Sequence, residues 1–143
     1  MEQRMSMITL GVSDLGKAKA FYENVVGWKA AESPPEIAFF DLGGTVFSLY
    51  PHDAMAADIG VGRSVPEGPY HGFGLAHNVR SKDEVDAVFK HLREQGASIL
   101  KEPEDVFWGG YSGYFSDPDG HAWEVAHNPF WSIGEDGRIM MSA

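Results

Sequence analysis

The sequence predicts an α+β protein built from two consecutive βαβββ modules, whose mixed sheets curve to form a cleft. Each half of the chain runs through the same order of strand, amphipathic helix and short strands. Equivalent residues also keep a nearly constant spacing: the helix caps Ser13 and Ser81 are 68 positions apart, and Ser48 and Glu124 are 76 apart. Self-similarity of this kind is typical of a repeated module.

The first module begins with a predicted strand at 7–12, where apolar residues alternate with small or polar ones. Ser13 and Asp14 are N-cap candidates for a helix with an apolar stripe, and Gly27 follows as its C-cap. Three further strands are predicted, at 28–31, 37–42 and 45–50. A Gly-Gly pair joins the last two as a hairpin turn.

In the second module a strand is predicted over 72–77, and Ser81 with Glu84 forms a capping box for a helix that ends at Gly96. Strands follow around 98–100, 106–116 and 121–127. The predicted boundaries are 1–51 for the first module, 52–69 for a linker with a helical turn, 70–129 for the second module and 130–143 for a tail. The tail is apolar enough to cover a cleft mouth or a dimer contact.

Composition narrows the classes of partner. The 143 residues are 43% hydrophobic, which supports a buried core, and 21 acidic against 11 basic residues give a net charge of −10. Nucleic acid is therefore an unsuitable partner, whereas a cationic or neutral small molecule is compatible. The chain has no apolar run long enough for a membrane helix and no cysteine, which fits a cytoplasmic protein.

Strand alternation separates two faces of each predicted sheet. The large apolar side chains are expected to pack on the face beneath the helix. The opposite face then carries mostly small residues and leaves space for a ligand. Glu124 lies on that face; the alternative is that the face is simply solvated and Glu124 is a surface carboxylate. The residues predicted on it are Met7, Thr9, Gly11, Ser48, Tyr50, Gly72, Gly74, Ala76, Ala122, Glu124 and Ala126.

Two segments carry a resemblance to a known family: MITLGVSDLGKAKAFYENVVGW at 7–28 and GYFSDPDGHAWEV at 113–125. The chain resembles the vicinal oxygen chelate superfamily of glyoxalase I, bleomycin-resistance proteins, fosfomycin-resistance enzymes and extradiol dioxygenases. The resemblance implies the glyoxalase/bleomycin-resistance fold and a homodimer. It also implies four strand positions that hold a divalent metal in the metal-dependent members.

Carried over by position, those four ligands fall at Met7, Ser48, Gly72 and Glu124, and only Glu124 matches. A glycine and a thioether beside one carboxylate make a poor site for zinc, magnesium or iron. The usual metal site is therefore predicted to be absent, so no cofactor is expected. The alternative is a divalent metal bound by Glu124 and by His71, turned into the cleft by a β-bulge.

The sequence thus predicts a small-molecule-binding protein, in which Glu124 meets a ligand amine or acts as the catalytic acid or base. The alternative is a lyase, isomerase or dioxygenase of the same superfamily with a nonstandard metal site, so enzymatic activity stays open. The residues predicted to contact the ligand are Met7, Thr9, Ser48, Tyr50, Gly72, Trp108 and Tyr114.

Overall fold

A computed structural model describes residues 1–141. The chain divides into two compact units, with the boundary between Glu67 and Gly68. None of the helices in this described part is both long and apolar enough to cross a membrane.

The first unit is a helix-covered, three-stranded mixed sheet. Its elements in chain order are β1 (Met7–Val12), α1 (Leu15–Asn24), β2 (Ala38–Asp41), β3 (Val46–Pro51) and α2 (His52–Ile59). The strand order is β1-β3-β2, with β1 parallel and β2 antiparallel to β3. Of the two N-cap candidates, Asp14 and not Ser13 caps α1, since the Asp14 carboxylate accepts the backbone N–H of Lys17 at 2.9 Å.

An aromatic cluster fills the core of the first unit. Tyr22 of α1 packs on Phe47 of β3, with ring centroids 4.8 Å apart, and both rings also contact Trp28. The strand predicted at 28–31 is wrong, because Trp28 follows the end of α1 and turns inward to pack beneath it. Trp28 serves the core, whereas Ala31 is exposed and donates its backbone N–H to the Phe39 carbonyl at 2.8 Å without forming a regular strand.

The second unit carries a four-stranded mixed sheet in the order β4-β7-β6-β5. Only β4 and β7 are parallel. Its elements are β4 (Leu75–Asn78), α3 (Lys82–Glu94), β5 (Ser98–Asp105), β6 (Tyr111–Ser116) and β7 (Ala122–His127), followed by a small hairpin of β8 (Ser132–Ile133) and β9 (Ile139–Met140).

Helix α3 covers one face of this second sheet. Its apolar stripe, Val85, Phe89 and Leu92, is buried, and a Cβ added at Gly113 of β6 would lie 2.6 Å from Phe89 Cζ. The helix begins at the predicted cap, with Ser81 Oγ accepting the Glu84 N–H at 3.1 Å. The Glu84 carboxylate accepts the backbone N–H of Arg80, one residue earlier than a regular capping box requires.

Two strands of the second module start later than predicted. Gly72 has a φ of +79° and lies in a loop, so β4 begins at Leu75 and not at position 72. Residues 106–110 form a turn closed by the Val106 N–H to the Gly110 carbonyl, and β6 begins at Tyr111. The glycines of these two segments have no side chains to bury. The residues between them therefore alternate in sequence as in a strand, although the backbone there is not a strand.

Candidate functional site

Glu124 lies in the middle of β7, on the sheet face turned away from α3. Its neighbours in sequence, Trp123 and Val125, are buried, whereas Glu124 is half-buried. It is paired across the ladder with Tyr114 of β6 and with Ala76 of β4. The central position gives the carboxylate a rigid base on three neighbouring strands.

Tyr114 and Glu124 form a hydrogen-bonded pair on this face. Burial is the main cause that raises the pKa of Tyr114 above its ordinary value of 10.0, and the charge and the hydrogen bond of Glu124 raise it further. The phenol is therefore protonated near neutral pH and donates to the carboxylate. Sequence alternation placed Glu124 on this face but did not decide whether Tyr114 faces the same way; the pairing of β6 with β7 shows that it does.

An ion pair borders this carboxylate and phenol. Lys101 of β5 is the ladder partner of Tyr114, and its ammonium lies 2.7 Å from the carboxylate of Glu104. That hydrogen bond raises the pKa of Lys101, and the charge of Glu124 adds to the effect. Neither Lys101 nor Glu104 was predicted as a site residue, because the predicted strand ended at Leu100, whereas β5 continues to Asp105 through two register shifts.

The rest of the same face on β6 and β7 carries small side chains. By strand alternation these are Ser112, Ser116, Ala122 and Ala126. Glu124 and Tyr114 are therefore the only large side chains of the two central strands on this face. The arrangement offers a carboxylate and a phenol surrounded by small residues.

In the first unit, the predicted residues Thr9 and Ser48 are ladder partners on the face away from α1. Ser48 is fully buried, and its hydroxyl donates to Thr9 Oγ1 at 2.6 Å. Ser48 therefore orients Thr9 and is not itself open to a ligand. Tyr50 has a raised pKa, mainly through burial and next through the charge of Asp58, to which it is also hydrogen-bonded.

Met7 borders a shallow pocket at the start of β1. The pocket has a volume of about 280 Å³, and 45% of the Met7 surface is exposed. Its lining combines apolar side chains with two carboxylates: Met7, Ala31, Glu32, Phe39, Asp41 and Val46. An apolar floor beside carboxylates suits a cationic group on an apolar body.

His52 was not among the predicted ligand contacts, but it lies beside the first sheet. It is the first residue of α2, within the predicted linker, and its ring lies over Gly11 of β1. A Cβ at Gly11 would be 2.6 Å from His52 Nδ1. Gly11 is the ladder partner of Tyr50, so α2 brings an imidazole to the face that carries Tyr50.

Two predicted ligand contacts lie elsewhere than expected. Gly72 is in the loop before β4, as described above. Trp108 lies in the β5–β6 turn, and its ring is folded against Gly110, where a Cβ would be 1.9 Å from the ring. Nothing in the local sequence distinguished this turn from a bent strand.

The sequence and the architecture resemble those of known proteins. The profile of the Glyoxalase/Bleomycin resistance protein/Dioxygenase superfamily matches residues 4–125. The chain belongs to this superfamily. The α+β class and the two βαβββ-like modules with mixed sheets, predicted from the sequence, are confirmed.

Within the superfamily, one relative is the metallothiol transferase FosB of Lysinibacillus sphaericus, 32% identical over 124 residues, which cover 85% of this chain and 80% of that protein. A crystal structure of a glyoxalase-related enzyme from Fulvimarina pelagi is 37% identical with a TM-score of 0.88 and covers 99% of this chain and 100% of that one. The fosfomycin resistance protein FosX of Listeria monocytogenes is 28% identical with a TM-score of 0.69, over 90% and 95% of the two chains.

Strand register corrects one of the superfamily's ligand positions in this chain. Thr9 pairs with Ser48, and Ala76 pairs with Glu124, so the residue equivalent to Met7 lies two before Ala76. That residue is Gly74 and not Gly72. Neither glycine has a side chain, so the predicted donor set is equally poor at both.

The residues at the four positions do not fit a divalent metal. A thioether, an internally bonded hydroxyl, a glycine and one carboxylate supply a single strong oxygen ligand. The alternative donor His71 has both ring nitrogens engaged elsewhere, with His121 and with the Gly68 carbonyl. Across residues 1–141, no group of three or more His, Cys, Asp or Glu side chains is arranged to hold a metal ion.

Proposed function

We propose that this chain is a small-molecule-binding member of the superfamily that meets its ligand through Glu124, without a metal at the usual four positions. One observation carries the proposal. Glu124 keeps the superfamily's carboxylate position, but its neighbours are the Tyr114 phenol and small side chains in place of further metal ligands. A carboxylate so placed is suited to an organic partner.

The charges favour a ligand with an amine or amidine group. Tyr114 supplies one hydrogen bond to Glu124, and a carboxylate accepts several. The nearby ammonium of Lys101 is bonded to Glu104, so it does not neutralise Glu124 directly. A chain of net charge −10 attracts cations at long range. An amine on an apolar or aromatic body fits these features.

The predicted ligand contacts enter the proposal with altered roles. In the second unit Tyr114 orients Glu124. In the first unit, taken by itself, Thr9 carries a hydroxyl held by Ser48, and Tyr50 carries a phenol bonded to Asp58. The remaining predicted contacts are Met7, Gly72 and Trp108.

A ligand screen tests this proposal. Thermal unfolding of the chelator-treated protein is followed with a panel of aryl amines, benzamidines and aromatic quaternary ammonium compounds. We expect a stabilising compound whose shift is lost in Glu124→Gln and retained in Glu102→Gln. Glu102 is the matched control, because its carboxylate pairs with Arg93 on exposed surface. Equal stabilisation of all three proteins would contradict a role for Glu124.

The alternative is a lyase, isomerase or dioxygenase with a metal held by Glu124 and His71. The FosB relative is a metallothiol transferase, which is the reason to test this alternative. Zinc, manganese and iron are measured in wild type and in Glu124→Gln, purified side by side without chelator. Our proposal expects equal metal content in both. Loss of a bound metal in Glu124→Gln would favour the alternative of a metal-dependent enzyme.

We also propose a cytoplasmic homodimer. Exposed apolar side chains on and beside the C-terminal hairpin support an association surface: Phe130, Trp131, Ile139 and Met140. Light scattering after size-exclusion chromatography tests the assembly, and a mass of 15.7 kDa at all concentrations would contradict it.

A further inference from the structure

A cavity of about 230 Å³ lies in the first unit, between the first turns of α1 and the segment 33–38 that leads into β2. One of its lining residues, Ala38, is the ladder partner of Leu49. Leu49 lies on the same side of β3 as Phe47, which packs on α1, so the cavity is on the helix side of this sheet and away from Ser48. None of the residues that line it is among the predicted ligand contacts.

The walls of the cavity are apolar and rigid. Leu15 and Ile37 supply aliphatic side chains, and Pro34 and Pro35 supply rings that fix the backbone φ. The Ile37 N–H donates to the Pro34 carbonyl at 3.3 Å, which closes the turn before β2. On the opposite side, α1 is anchored in the core by Tyr22. The cavity is therefore preformed, and a ligand does not have to order a loop in order to bind.

Lys19 and Ser33 supply the polar side chains of the cavity. Lys19 follows Leu15 by one helical turn, so the two side chains lie on the same face of α1. Lys19 and Ser33 are half-buried, and within residues 1–141 neither side chain has an ion-pair or hydrogen-bond partner. An anion can therefore bind Lys19 without displacing an existing partner.

Asp14 limits where in the cavity an anion can lie. Its carboxylate caps α1, and its Oδ1 would be 3.5 Å from a Cβ on Gly16, which also lines the cavity. This negative charge repels an anion from the first backbone N–H groups of the helix. The charge of a ligand is therefore expected beside Lys19 and not at the helix N-terminus.

Volume and charge define the class of ligand. A cavity of about 150 Å³ accommodates a benzene ring, so 230 Å³ leaves room for such a ring and one carboxylate. One ammonium beside one hydroxyl matches a monoanion, whereas a phosphate dianion would need further cations. The net charge of −10 also opposes multiply charged anions. We propose that this cavity binds a small monocarboxylate about the size of benzoate, with Lys19 and Ser33 on the carboxylate and the apolar walls around its body.

Titration of the full-length protein with sodium benzoate, followed by nitrogen–proton NMR correlation spectra, tests the proposal. We expect saturable shifts of amide signals within 15–19 and 33–38, and binding about fivefold weaker or more in Lys19→Gln. Lys17→Gln is the matched control and should bind as the wild type does, because Lys17 is exposed on the same helix and does not line the cavity. Benzamide, which has the same ring and no charge, should bind about fivefold more weakly than benzoate or worse.

A second variant tests the cavity separately from the charge. Gly16 has no positive φ, and a Cβ there meets only Asp14 at an ordinary contact distance, so Gly16→Leu should fold and obstruct benzoate while Lys19 stays in place. A native circular dichroism spectrum is required of each variant before titration. Glu124→Gln should bind benzoate as the wild type does, since Glu124 belongs to the second unit.

Four results would each overturn the monocarboxylate site: undiminished binding in Lys19→Gln, undiminished binding in Gly16→Leu, equal weakening in Lys17→Gln and Lys19→Gln, or benzamide binding as tightly as benzoate. Shifts confined to amides outside 15–19 and 33–38 would also overturn it. The screen of amines against Glu124 uses cationic compounds and a different variant, so its outcome is independent of this one.

Discussion

We expect a side chain added at Gly11 to destabilise the protein while His52 lies over this position. The Cβ of an alanine at this position would be 2.6 Å from His52 Nδ1 and 2.9 Å from Cε1. Real Cβ atoms do not approach so closely, so the imidazole or the start of α2 must move. Gly11 lies in β1 and has no positive φ, so its backbone is compatible with alanine. The steric clash is therefore the only structural obstacle.

The magnitude follows from two opposing terms. Replacing a strand glycine with alanine stabilises by about 0.5–1 kcal/mol, because the unfolded chain loses freedom. Overpacking costs about 1–3 kcal/mol. Gly11→Ala should therefore lower the free energy of unfolding by about 0.5–2 kcal/mol when His52 is present, and should raise it slightly in the His52→Ala background.

Urea unfolding of the four proteins in this cycle measures the coupling, with circular dichroism and tryptophan fluorescence recorded together to check two-state behaviour. Gly74→Ala is the matched control, since a Cβ there meets nothing within 4 Å and no positive φ opposes it. If Gly11→Ala lowers the free energy of unfolding as much in the His52→Ala background as it does in the wild type, the placement of His52 is wrong.

Three further predictions concern the second unit. Gly113→Ala should destabilise it by about 3 kcal/mol or prevent folding, because its Cβ would meet fixed backbone atoms of β5 at 2.8 and 2.9 Å; urea unfolding measures this. Hydrogen bonding to Asp86 is the main cause that raises the pKa of Tyr111 to about 12, so in Asp86→Asn its tyrosinate absorbance should appear at lower pH. Glu124→Gln should lower the pKa of Tyr114 only part of the way to 10.0, because burial remains its largest cause; NMR titration of the ring checks this. Since folding raises that pKa, the stabilisation from the Tyr114 phenol is complete below pH 10 and is lost as the pH rises through the folded value.

Sequence alternation was reliable where bulky side chains enforce it. In β7 the tryptophan and the valine must be buried, so the residue between them, Glu124, has to face the other way. The cap at Ser81 was equally predictable, because it depends on local hydrogen bonds alone. Both features are determined within a few residues of chain.

Alternation failed where glycines replace bulky side chains. The segment His71 to Leu75 contains two glycines, which bury nothing and leave the start of the strand undetermined. The prediction therefore began β4 three residues early, at Gly72. The ladder between β4 and β7 was needed to show that Gly74 is the equivalent of Met7.

Contacts between distant segments had no sequence signal at all. His71 and His121 are 50 positions apart, and His52 reaches Gly11 only because α2 folds back onto β1. Such pairs depend on how loops pack against sheets, and residue type alone does not predict it. His71 was visible in the sequence as a possible metal ligand, but its contact with His121 was not.

Under the proposed function, Glu124 has a use without a metal. A half-buried carboxylate is stabilised by hydrogen-bond donors or a cation, and here the Tyr114 phenol supplies one donor. Further metal ligands would have to come from the positions of Met7 and Gly74, which offer a thioether and no side-chain donor. The neighbours of Glu124 on its own face of β6 and β7, other than Tyr114, are small side chains. A ligand that brings its own positive N–H groups satisfies the remaining acceptor capacity of this carboxylate, whereas a bare metal ion would find too few oxygen or nitrogen ligands.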